Sequence, residues 1–543
     1  MNLVSWARLS LIPCLLLPLV GAADTYLADP WPQWQDGHNR PGRTTTVGPR
    51  TPTLAWTFQL PEFGNQQGFS KPSMDRRGRM FINGFGQVYA VDIARRANLW
   101  RTENVFMDVW HTSTADGLLI FGTAQPPLRF FVVRAETGDE VWSVATTGDF
   151  RRAAVIRDGV VYFHDGYTLF ARQLSDGTLL WRQNSFRPYS NLSMDDEGRI
   201  FVTDYPQGRL HAIDSQVGSV MWTTAPLSGE VLGCLATENG LVYAETAFGN
   251  KEVYCFDART GMQRWRVDPV GGSYLGLAIG NPAFNRLYLS DAGARWIVSL
   301  DRSAGDEIWR FPTETSIWAP PLLDTTETIY FANSGNQGTP TLAAVNPDGT
   351  LLWNRTLSAG TEGSLLLSPD GTLYVITKDR KLQAFRDPHV SAILTDFSIP
   401  QGARASGGLL ALSASDDDYF EMNSQAWFLV SEANLSTLEL GAHTSKQNPK
   451  MMDIKVEARI NQPVGRINLA LKNWLTGAWE TVEAQKTRSN EDITYWKTGL
   501  DCRKYVRPDG RIELQIKTIV NVPITEATFR TFLDQVDIQI RDI

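Results

Sequence analysis

The sequence predicts an all-β protein, an eight-bladed β-propeller followed by a jelly-roll-like β-sandwich. Three observations carry this. A phrase made of a short strand, a tight glycine turn and a tryptophan recurs about every forty-two residues. Each recurrence follows an earlier strand pair opened by turn residues, as in "DGVVYFHD" and "EGRIFVTD". After Pro388 the period stops and clean apolar alternation replaces it.

The first stretch, "MNLVSWARLSLIPCLLLPLVGAAD", has Arg8 ahead of an apolar run from Leu9 to Val20 and small residues from Gly21 to Ala23. The run is short for a membrane span, so residues 1–23 read as a secretory signal peptide. Cys14 follows Pro13 inside the run, where a lipid-anchoring cysteine would not stand. The expectation is a secreted protein, periplasmic or extracellular, with no membrane span. Residues 24–50 form an N-terminal lead-in. A formal charge of −8 over 543 residues argues against nucleic acid as a partner.

The propeller is expected over 51–387. Its repeated phrases are "VYAVDIARRANLW", "FFVVRAETGDEVW", "LFARQLSDGTLLW", "LHAIDSQVGSVMW", "VYCFDARTGMQRW", "IVSLDRSAGDEIW" and "LAAVNPDGTLLW". They end at Trp100, Trp142, Trp181, Trp222, Trp265, Trp309 and Trp353, at spacings of 42, 39, 41, 43, 44 and 44 residues. All but the first have glycine four residues before the tryptophan, where a hairpin turn favours positive φ. Four short strands per period of this length mark a propeller blade. An eighth unit, "SLLLSPDGTLYVITKDRKLQAFRDP", supplies three strands and no tryptophan. The orphan strand "LAWTF", with Trp56 one period before Trp100, is expected to complete it and close the ring.

The phrase A-x-D-x-x-T-G-x-x-x-W, best seen in "CFDARTGMQRW" and "AIDSQVGSVMW", resembles the tryptophan-docking repeat of the PQQ-binding-like, quinoprotein-type propellers. The lead-in "WPQWQDGHNRPGRTTTVGPRTPTLAWTF" resembles that of secreted bacterial members. The resemblance covers about residues 30–387. It implies that each of the eight tryptophans packs between neighbouring blades as a structural residue. It also implies, for active members, adjacent cysteines over a quinone and Glu, Asn and Asp ligands to calcium. This sequence has no adjacent cysteines and no matching ligand motif. The active site is therefore not carried over, and no PQQ is expected.

Residues 388–543 alternate apolar and polar in "MMDIKVEARI", "GRINLALKNW", "GRIELQIKTIV" and "QVDIQI". About eight half-buried antiparallel strands in a sandwich are expected. The stretches "GGLLALSASDDDYFEM" and "INLALKNWLTGAWETV" resemble a module at the C-termini of secreted bacterial proteins. Within "SDDDYFE", Asp416 and Asp418 are weak candidates for calcium, and a solvated acidic loop is the commoner use of such a run.

Cys234, Cys255 and Cys502 make no disulfide framework. Cys234 and Cys255 fall on the first and third strands of one blade, about 9.6 Å apart, beyond disulfide reach. They read as small buried hydrophobes.

One constellation points to binding. Eight to thirteen residues after each docking tryptophan stand Phe69, Trp110, Arg151, Tyr189, Glu230, Tyr274, Trp318 and Glu362, one per blade at the mouth of the central funnel. Aromatic faces with a few charges suit a small planar or sugar-like ligand. Capping and packing among themselves is the plainer alternative. The preferred reading is a secreted, monomeric, non-catalytic binding or scaffold protein that presents this face to a protein or glycan. The alternative is an enzyme in the funnel, a quinoprotein-type dehydrogenase or a polysaccharide-acting enzyme, with Glu230 and Glu362 as its carboxylates. A third reading resembles the outer-membrane assembly scaffold, against which stand the missing lipid anchor and the extra domain.

Overall fold

The computed structural model describes residues 38–541 apart from 62–70, 76, 85–86, 103–111, 116, 125, 127, 149–151, 231–234, 247, 250–251, 269–273, 294, 414–417, 428–432, 447–448, 463–464, 488–491 and 522–528. The proposed signal peptide lies outside these. Among the described residues are eight four-stranded antiparallel sheets, each a propeller blade. Blade 1 runs from Ser73–Met74 to Ala97–Arg101, and blade 7 from Leu322–Leu323 to Leu351–Thr356. Blade 8 joins Leu366–Leu367, Leu373–Ile376 and Lys381–Arg386 to the N-terminal strand Thr53–Gln59. Their register runs from Thr53 opposite Arg386 to Gln59 opposite Lys381. The ring therefore closes on a strand from the far end of the chain.

The repeated phrase has a physical explanation at the seams. In every blade the residue just before the tryptophan is a bulge on the outer strand. A bulge re-aims its neighbour. From Trp100 through Trp309, each indole N–H donates to a main-chain carbonyl in the next blade's last turn, such as Trp142 to Leu174 at 2.8 Å and Trp265 to Arg302 at 3.1 Å. The glycine of that turn lies on the ring. A Cβ at Gly218 would stand 2.5 Å from Trp181, and one at Gly305 would stand 2.8 Å from Trp265. The glycine thus makes room for the previous blade's tryptophan as well as taking φ of +73 to +87.

Two seams depart from the pattern. Blade 8 has no turn before its outer strand, so Trp353 donates instead to Pro49 of the lead-in at 2.9 Å. Blade 1 has Arg96 where the others have glycine. Arg96 adopts φ 53 and lays its guanidinium over Trp56, 5.4 Å from the ring centre. A cation–π contact replaces the close glycine contact.

Cys255 also finds its reason here. It pairs with Trp265 across the sheet, where other blades place Ala90, Val132, Ala171, Ala212, Ser299, Ala344 or Ala384. The position opposite the indole takes small or compact side chains, and Cys255 is one of them. Burial pushes the Cys255 thiol up to about 12, which keeps it an uncharged, unreactive group. Cys234 lies outside the described residues.

The lead-in crosses the ring. His38, Asn39, Pro41 and Gly42 offer carbonyls to the N–H groups of Met194, Thr237, Ile279 and Leu323, at 2.7 to 3.0 Å. These four stand on the innermost strands of blades 4, 5, 6 and 7, at or near their C-terminal ends. Arg40 is wholly buried and donates to the carbonyls of Ala153, Ala154 and Leu192. The segment is a strap over one mouth of the central channel.

The C-terminal part is the expected sandwich, with twelve strands in two six-stranded sheets among the described residues rather than about eight. The additional ones are mostly short flanking strands such as His389–Ser391 and Gln425–Trp427, too brief to show a period. Met452, Ile454, Val456, Ala458 and Ile460 are all fully buried, as their alternation requires. They belong with Leu438, Leu440, Ile467, Leu469, Leu514 and Ile538 to the apolar layer between the sheets, save Ile460, which packs with Val520 and Phe529. Arg541 is held within the sandwich by Asp453 at 2.7 Å and ties it to the propeller through Asp387 at 3.5 Å.

Candidate functional site

With one mouth strapped, the opposite one is the face from which the chain enters each innermost strand. The turns between second and third strands share it. Of the eight candidate residues, Phe69, Trp110 and Arg151 lie outside the described residues. Glu230 sits on the short strand Gly229–Glu230, paired with Phe248–Gly249, and Tyr274 opens the strand Tyr274–Ile279. Trp318 is 39 % exposed. Glu362 is committed to Lys378 by a 2.6 Å ion pair, and Lys378 also donates to Asn336 at 3.0 Å. That pairing suits a fixed rim charge better than a catalytic acid.

Tyr189 belongs to a larger assembly over blades 3 and 4. Its ring lies 5.0 Å from that of Tyr205. The Arg187 guanidinium stands over Tyr205 at 5.6 Å and over Tyr167 at 4.7 Å. Arg152 stands over Tyr189 at 5.2 Å. The order is therefore Tyr167, Arg187, Tyr205, Tyr189, Arg152. Reading one loop per blade finds only Tyr189. The others come from the second-to-third-strand turns and from neighbours in the same loop, and the aromatic-basic run "FRPY" at 186–189 was their visible signal.

The backbone fixes this assembly. Tyr205 N–H donates to the Arg187 carbonyl at 2.9 Å, and Tyr189 N–H to the Thr203 carbonyl at 2.8 Å. Beneath it, Asp165 accepts from the N–H groups of Tyr167 and Thr168 at 3.0 and 2.8 Å. Burial would raise this carboxyl, but bonds from Thr147, Thr168 and Tyr167 hold it below the usual range.

His164 is buried alongside. Its Nδ1 accepts from Gly166 N–H at 3.2 Å, so Nε2–H donates to the Ser190 carbonyl at 2.8 Å. Burial pushes its pKa down to about 4. The unfolded chain takes up this proton near pH 6.5 while the folded chain resists, so the stabilisation is present above 6.5 and is lost as pH falls through about 4. The expected loss from this group is about 3 kcal/mol at most. Urea melts at pH 7 and pH 4.5 should converge in His164→Gln. An equally steep pH dependence in the variant would assign it elsewhere.

Among the described residues, no three His, Cys, Asp or Glu side chains gather so as to hold a metal ion. Asp416 lies outside the described residues, and Asp418 is exposed. No helix among the described residues is long and apolar enough to cross a membrane. Among the described residues, Cys255 is buried beneath Trp265, Cys502 is buried in the sandwich, and Glu362 is paired with Lys378.

The family described as outer membrane protein assembly factor BamB matches residues 84–189, 169–295 and 293–387. Among solved structures, BamB from Moraxella catarrhalis is 17 % identical, over 62 % of this chain and 100 % of its own, with a TM-score of 0.48. A quinohemoprotein alcohol dehydrogenase from Pseudomonas putida HK5 is 12 % identical, over 72 % of this chain and 85 % of its own, with a TM-score of 0.52. That from Comamonas testosteroni is 13 % identical, over 67 % and 82 %, with a TM-score of 0.51. At such identities the two dehydrogenases share the propeller fold and nothing further is implied. No curated protein matches the chain in sequence.

Proposed function

The chain belongs to the propeller family of the outer membrane protein assembly factor BamB, and from that membership we propose a secreted, non-catalytic binding protein whose open face receives a protein or glycan partner. We divide it into a signal peptide, 1–23, a lead-in, 24–50, the propeller, 51–387, and the sandwich, 388–543, as an accessory module. The observation that carries the reading is the strap. It fills one mouth with backbone hydrogen bonds to four blades, which leaves the opposite face as the concave surface for a partner. That face offers Trp318 and the Tyr–Arg assembly.

The face works by complementarity and not by chemistry. Exposed aromatic rings supply contact area at low entropic cost, and fixed charges orient the partner. Its test is a screen of the mature protein against a glycan array and an unfolded outer-membrane protein, repeated with Trp110→Ala/Trp318→Ala. Binding should fall at least about tenfold while the melting temperature moves little. A variant that melts as badly as a seam-tryptophan variant would place these residues in the core and remove the site. Dye reduction on adding PQQ, calcium and an alcohol would overturn the non-catalytic reading.

A further inference from the structure

The stacked series over blades 3 and 4 supports a more specific statement, resting on the reading that this face meets the partner. We propose that Arg187, held between Tyr167 and Tyr205, is the anion-binding centre of a site for an acidic oligosaccharide built of uronic acids.

The argument begins with the guanidinium. Arg187 is an exposed residue, and among the described residues its side chain makes no hydrogen bond or ion pair. Its position is nonetheless fixed. The backbone is paired through Tyr205, and two rings stand against the guanidinium at 4.7 and 5.6 Å. With no hydrogen-bond or ion-pair partner among the described residues, the guanidinium keeps its N–H edge as a donor surface. That edge is a planar fork matched to a carboxylate, and its ordering cost has been met before the ligand arrives.

The flanking groups select the rest of the ligand. Tyr167 is 49 % exposed and Tyr205 is 38 % exposed. Each offers an aromatic surface with a polar tip beside the anion site, the kind of surface on which a sugar ring packs. The series then continues through Tyr189 to a second guanidinium, that of Arg152. Cation and aromatic groups in successive contact suit a chain that repeats ring and carboxylate along its length. An apolar protein partner would want aliphatic surface instead. The exposed aliphatic side chains nearby, Leu179, Leu180 and Met221, lie on the outer strands at the propeller's circumference.

Calorimetry on the mature protein tests this, with tetragalacturonate, a neutral galactose tetramer and a glutamate-rich peptide of equal charge as probes. Tetragalacturonate should bind at least about tenfold more tightly than the other two, and more weakly as salt rises. Arg187→Gln should weaken it by about tenfold or more, and Arg187→Lys should not restore it, because the fork is lost. Neither variant should shift the melting temperature, since Arg187 is exposed. No tetragalacturonate binding at millimolar concentration, equal binding of the neutral tetramer, or indifference to Arg187→Gln would each overturn the site. Tighter binding of the peptide would overturn the sugar assignment. The two readings fail separately: tetragalacturonate binding indifferent to Arg187→Gln removes this site, whereas a Trp110→Ala/Trp318→Ala variant that melts as badly as a seam-tryptophan variant, or dye reduction with PQQ, calcium and an alcohol, removes the wider funnel reading.

Discussion

Deleting residues 24–58 should destroy the soluble monomer. The deletion removes the outer strand of blade 8 and exposes Lys381–Arg386 as a bare sheet edge. An unpaired edge of this kind templates pairing with another chain. The same deletion withdraws Trp56 from its seam, the carbonyl that receives Trp353, and the buried Arg40. The carbonyls of Ala153, Ala154 and Leu192 lose a charged donor, at roughly 1–3 kcal/mol for each one left dry. Light scattering should show oligomers, and a fall in melting temperature of more than ~10 °C is expected. A truncated chain that stays monomeric with the melting temperature of the intact protein would refute closure by the N-terminal strand.

The second large effect belongs to a seam. Trp265→Ala should cost about 3–5 kcal/mol. The side chain is 8 % exposed, meets the Tyr243 ring in a tilted pair at 6.0 Å and donates to the Arg302 carbonyl. Gly305→Ala should cost about 1–3 kcal/mol, because its methyl would press on that indole at 2.8 Å and because φ is +82. In the Trp265→Ala background the clash with the indole disappears, while that with Val267 Cγ1 at 2.8 Å and the backbone part remain. A double-mutant cycle should therefore return a coupling of about 1 kcal/mol. Strict additivity would show that the indole does not require glycine at this position.

The sequence displayed the repeat because the seam demands two residue types at fixed separation, and such a demand is written locally. Trp309 and Gly305 are four residues apart and serve adjacent seams. The worn first copy looked like decay, yet Arg96 proves to be a substitute contact made to Trp56, forty residues earlier in the chain. The strap could not be read at all. Its meaning lies in carbonyls opposite four blades that are scattered over more than a hundred residues, and no local pattern signals them. The candidate site fell between these cases. Loop positions followed from the period, so Tyr189, Trp318 and Glu362 were named. The contact of Arg187 with two tyrosines depends on turns that the period does not align.

Ring closure also sets an order of events. Thr53 is among the first residues of the propeller to be made, and its partner Arg386 is among the last. Bringing them together closes a loop of more than three hundred residues, at about 4 kcal/mol more entropic cost than closing a five-residue hairpin. The seven blades built from consecutive strands bear no such cost. The final blade must therefore assemble late, after its neighbours have fixed the two ends near each other. By the same reasoning it should open first, so slow hydrogen exchange would be shallowest along Thr53–Gln59. Until residue 386 emerges, the N-terminal strand is an unpaired β-segment with no native partner, and it is in that interval that the protein is most exposed to pairing with another copy of itself.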